Sequence, residues 1–120
     1  MATATAEARL EFSALRLAGI AALLTAKGMD LATTASVLLA QPGAEANPTA
    51  AAVVGSAGLP GLVVLSVAVC AAVVVATEWG AARVEPPYPV LVRLGGSLPP
   101  TLLWSVVAVH NVRAIAGALA

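Results

Sequence analysis

Polar positions are so sparse along this chain that they, more than any periodicity of the apolar ones, mark out its elements. Three long apolar stretches emerge. The first runs from about Phe12 to Ala40 and is interrupted only by Arg16, Lys27 and Asp30. The second lies between Glu45 and Glu78 and holds 32 residues without a charge. The third lies between Arg93 and Arg113, with His110 as its one titratable group, and continues apolar to Ala120. Each exceeds the roughly 20 residues a helix needs to cross a hydrocarbon core about 30 Å thick. Backbone groups in lipid must bond internally, and nothing here alternates like a barrel strand. The pattern predicts an all-α integral membrane helical bundle with three transmembrane helices.

Glycine and proline set the expected boundaries. As one helix the second stretch would reach about 48 Å at 1.5 Å per residue, too long for a single span. Within it, Gly58 can end one helix and Pro60 can open the next, while Asn47-Pro48 reads as an N-cap followed by a first-turn proline. The expected helices are therefore about 12–40, 48–57, 60–79 and 99–119, in a single membrane domain covering 1–120. The short 48–57 piece would lie at the outer interface or re-enter, and one kinked helix is the rival reading. Gly95-Gly96-Ser97 reads as a break before Pro99-Pro100. That leaves 80–98, with Pro86, Pro87 and Pro89, as an exposed loop.

Composition narrows the class. Hydrophobic residues make up 60% and charged residues 10%. A soluble domain carries about 25% charged residues, so this chain cannot cover a surface with charge. Six Lys/Arg balance six Asp/Glu, which argues against a nucleic-acid partner. Met1–Glu7 lacks the basic start of a signal peptide and is expected to be retained. Arg9 and Arg16 flank the N-terminus and Arg83 and Arg93 sit in the second loop, whereas the first loop, Gln41–Asn47, has no Lys or Arg. The positive-inside rule then places the N-terminus and the 80–98 loop in the cytoplasm, in a multi-pass protein of the cell membrane. Trp79 and Tyr88 stand where an interfacial aromatic belt would put them.

The candidate chemistry sits where charge interrupts apolar sequence. Lys27 and Asp30 are spaced i,i+3, on one helix face and close enough to neutralise each other. Thr33 and Thr34 lie one turn on and can donate hydroxyls to the Asp30 carboxylate. A charge within a span costs about 2.5–3.5 kcal/mol on insertion scales, so the pair is either a structural ion pair or a relay or ligand site. Glu45 and Asn47 flank the opening of the second stretch: Asn47 as a cap, Glu45 as a solvated acid or as a group folding toward Lys27 or Arg113. His110 and Arg113 repeat the i,i+3 spacing on the third helix. Asp30, Glu45, His110 and Arg113 would converge at one outer level. Cys70, among Ala and Val, reads as a small buried hydrophobe. No spacing suits a metal, no cofactor motif occurs, and no nucleophile elbow or phosphate loop is present.

Asp30-Leu31-Ala32-Thr33-Thr34, followed by Glu45-Ala46-Asn47-Pro48, resembles a family of small three-to-four-helix archaeal membrane proteins. Its members carry an Asp-x-x-Thr step in the first helix and a Glu-x-Asn-Pro step opening the next segment. The match touches Asp30, Thr33, Glu45, Asn47 and Pro48 and covers about the first half of the chain. The family has no assigned activity, so the resemblance implies a fold and a pair of sites at Asp30 and Glu45, not a mechanism.

The expected role is that of a non-catalytic subunit or self-associating bundle. Alanines at 14, 18, 22 and 26, and again at 68, 72 and 76, suit close helix packing, within the chain or with a partner in a homo-oligomer or a larger membrane complex of the lipid bilayer. The alternative is an ion or proton relay, or a small-solute transport element, using Lys27 and Asp30. An intramembrane enzyme is the third reading.

Overall fold

A computed structural model of the chain describes the backbone of residues 2–41 and 47–119, and the side chains of residues 14–41 and 47–119. Three helices make up the described fold: α1 (Ala2–Ala40), α2 (Pro48–Ala81) and α3 (Tyr88–Leu119). All three are long and apolar enough to cross a membrane, α1 over Ala14–Ala40. The all-α bundle of three candidate spans is thus present.

Besides the start of α1, at Ala2 rather than near 12, two boundaries differ from expectation. No separate short helix forms at 48–57: helical structure runs from Pro48 to Ala81 and is bent at Gly58, whose φ of 68° and ψ of −162° are non-helical. Only glycine takes such a positive φ without steric cost. Pro60 brings no N–H of its own, so the bend absorbs the loss and the helix resumes beyond it. The bend is sharp, because a β-carbon at Gly61 would come within 2.6 Å of the Ala57 Cβ. The kinked-helix alternative is the one that describes this segment.

The second difference concerns 80–98. α3 begins at Tyr88, with Pro89 in its first turn, and passes through Gly95, Gly96, Pro99 and Pro100 without ending. The connection shrinks to 82–87. Membrane helices tolerate interior proline, since neighbours and hydroxyl side chains re-satisfy the freed carbonyls. Here the carbonyls four residues before the prolines belong to Gly95 and Gly96. Gly96 serves approach between helices rather than chain reversal: a β-carbon there would overlap the Thr77 side chain of α2, whereas Gly95 faces open space.

α1 and α3 run parallel and share the largest interface. Gly19 of α1 faces Ser97 of α3, and further along Thr33 and Thr34 meet Asn111. α2 runs antiparallel to both, so Glu78 reaches Arg16 and Arg93 while Leu62 packs on Leu38. Two apolar clusters form the core. Leu23, Ala26, Cys70 and Trp104 pack together mid-bundle, and Leu38, Ala50 and Leu62 pack near the far end. Cys70 is buried there as a plain apolar group. The outward faces stay apolar, with Leu17, Val64, Val67, Leu102 and Val106 all exposed, as lipid contact requires.

Candidate functional site

Helix spacing in α1 brings the first candidate group together without help from the rest of the fold. Lys27 Nζ lies 2.8 Å from Asp30 Oδ2, one turn away on the same face. Thr34, four residues on, donates to Asp30 Oδ1 at 3.3 Å. Thr33 departs from expectation. Its hydroxyl donates to the backbone carbonyls of Met29 and Asp30 at 2.8 and 3.1 Å, the back-bonding common for threonine in helices. Asp30 is buried, at 7% exposure, so its charge is held by the ammonium and a hydroxyl rather than by water.

α3 completes the group. Trp104 places its ring under the Lys27 ammonium, 4.8 Å from the ring centre. Such cation–π contacts strengthen where water is excluded. Asn111 donates through Nδ2 to Thr33 Oγ1 at 3.2 Å and Thr34 Oγ1 at 3.0 Å, fastening α3 to the turn that carries Asp30. Asn111 and Trp104 were not among the residues expected to act. An amide between a histidine and an arginine in an apolar stretch was the available signal.

These side chains line a cavity of about 680 Å³ between the three helices. The Leu23–Ala26–Cys70–Trp104 cluster lies on its inner side, and Gln41, Asn47 and Thr49 stand at its mouth. His110 lines it as well, with no hydrogen bond or ion pair among the described residues. From α2 comes Ser66, 5% exposed, whose hydroxyl likewise has no hydrogen-bond partner among the described residues. Asn47 caps α2 as expected, its Oδ1 accepting from the Thr49 and Ala50 amides at 3.0 and 3.3 Å.

Of the four residues expected to converge, two line one cavity. Asp30 and His110 share the cavity. Arg113 is exposed, does not line the cavity and pairs with nothing among the described residues. Glu45 lies outside the described residues. Among the described residues no group of three or more His, Cys, Asp or Glu is placed to hold a metal ion.

A second ionic centre, unforeseen in the sequence, ties the other end of the bundle. Glu78 of α2 accepts from Arg93 of α3 in a bidentate pair, at 3.2 Å from Nε and 3.0 Å from Nη2. Its Oε2 also lies 2.8 Å from Arg16 Nη2 of α1. Nearby, Arg83 stacks on the Trp79 ring at 3.6 Å and donates to the Trp79 carbonyl. One carboxylate thus joins three helices, although its partners stand 62 and 15 residues away in sequence.

No family model matches the chain, and no curated protein or solved structure matches it.

Proposed function

We propose that this chain is a small, multi-pass, non-catalytic protein of the cell membrane that takes a small polar solute into the cavity at Lys27 and Asp30. The N-terminus faces the cytoplasm in this reading, by the bias of Lys and Arg in the connections, so the cavity mouth faces outward. The observation that carries the reading is the cavity beside a buried, paired carboxylate, with the partnerless Ser66 hydroxyl in its wall. A hydroxyl without a protein partner in a largely apolar wall is met by a water or by a ligand. A through-going relay is less well supported. Between Lys27 and Arg16 stands the apolar Leu23–Ala26–Cys70–Trp104 cluster, which offers no hydrogen-bond chain.

Thiol labelling tests the reading. With Cys70→Ala as background, Ser66→Cys should react with a membrane-impermeant thiol reagent added outside sealed vesicles. It should stay unlabelled when the reagent is trapped inside. Labelling from the inner side only, or from neither, would remove the proposal.

A second role, as a subunit or self-associating bundle, is favoured by Ala68, Ala72 and Ala76, which stay exposed on α2 and let another helix approach. The mass of the gently purified protein separates a lone chain from an assembly.

A further inference from the structure

Given the solute-binding reading above, the arrangement of charge in the cavity specifies which solutes fit. The lining carries one fixed cation and one fixed anion, Lys27 and Asp30, already in contact at 2.8 Å. Each retains capacity. An ammonium has three donors, and among the described residues Lys27 spends one on Asp30. A carboxylate has about four acceptor positions, and Asp30 uses one for Lys27 and one for Thr34. Asn111 spends its donors on Thr33 and Thr34, so its Oδ1 is left as an acceptor. The uncharged Ser66 hydroxyl adds a donor and an acceptor.

A singly charged solute added to such a pair makes a cluster of three charges with a net charge in a low-dielectric wall, which is costly. A neutral solute leaves the spare charged donors and acceptors without charged partners. A solute carrying both signs closes an alternating ring: its carboxylate meets the Lys27 ammonium, its cationic group meets Asp30 and the Asn111 carbonyl, and no net charge enters. The Trp104 ring already carries the Lys27 ammonium, which leaves Asp30 and the Asn111 carbonyl to take the solute's cationic group. We infer that the Lys27–Asp30 cavity is a site for a small zwitterion, a molecule bearing a carboxylate and an ammonium or quaternary ammonium a few bonds apart.

The test uses the full chain in vesicles, with Ser66→Cys in the Cys70→Ala background and the rate of external thiol labelling as the readout. Glycine and glycine betaine at saturating concentration should slow labelling at least tenfold. Acetate, choline and glycerol, matched in size, should slow it less than twofold. Asp30→Asn should move protection to acetate, and Lys27→Met should move it to choline. Trp104 fluorescence, read in a Trp79→Phe background with the native Ser66, reports the same ranking should the cysteine variant fail to assemble. Equal protection by glycerol or by the single ions would overturn the zwitterion assignment and leave solute binding standing. Protection by none of the five, together with no response of Trp104 fluorescence to any of them at native Ser66, would overturn both.

Discussion

The two ends of the bundle hold their charges in opposite ways. At one end, Glu78 binds Arg93 and Arg16, so a single carboxylate crosses from α2 to both neighbours. Mid-bundle, Lys27 and Asp30 neutralise each other within one turn of α1, and contact with α3 comes through uncharged Thr33, Thr34, Asn111 and the Trp104 ring. An ion pair between helices closes the space between them. One within a helix leaves that space open. The closed end keeps a cavity of about 190 Å³ beside Arg16, Glu78 and Arg93, against about 680 Å³ at the open end.

Removal of Glu78 should separate the two regions most clearly. Glu78→Gln leaves two guanidinium groups without their shared carboxylate, and losing one partner of a partly buried pair costs about 3 kcal/mol. Denaturant titration in detergent micelles should show this as the largest single loss. A smaller loss than that of Asp30→Asn would break the comparison.

Next in size is Gly96→Ala, which drives a methyl into Thr77 at the same closed end. Overpacking of this kind costs about 1–3 kcal/mol. Thr77→Ala should restore only part of it, since the Thr77 Cβ itself would lie 2.9 Å from the new group.

Asp30→Asn should lose about 1–2 kcal/mol, because Lys27 keeps its ring contact and its access to the cavity. A double-mutant cycle sharpens the point. Lys27→Met should couple to Asp30→Asn by at least about 0.5 kcal/mol, whereas Arg113→Gln should add independently. Coupling between Asp30 and Arg113 would mean that the open end converges more than the described contacts show. Smallest of all, Asn111→Ala should cost about 0.6 kcal/mol, the average for a polar contact between membrane helices.

Local spacing explains what the sequence made legible. The Lys27–Asp30 contact, the Asn47 cap and the burial of Cys70 depend on neighbours within a turn, or on apolar surroundings visible in the string. The Glu78 centre depends on helices meeting at one level, and no local pattern announces that. The glycine and proline signals misled for a related reason. Gly95-Gly96 and Pro99-Pro100 would end a helix in water, but α3 runs through all four, and Gly96 lets it lie close against Thr77 of α2. Of the alanine row in α1, only Ala26 is buried, while Gly19 and Leu23, off that row, lie against the neighbouring helices.

The pairing of α1 with α3 bears on how the protein enters its membrane during synthesis. α1 is the least apolar of the three candidate spans, with a mean hydropathy of 1.2 over its best window against 2.7 for α2. The groups that fasten it between helices, Glu78, Arg93 and Asn111, leave the ribosome long after it does. Until then Lys27 and Asp30 have only each other and the Thr34 hydroxyl of the same helix. Their adjacency lets the middle of α1 wait in the bilayer without a net charge, with Arg16 near its edge, so the local pair that leaves the cavity open in the finished protein also serves as its chaperone while the chain is still incomplete.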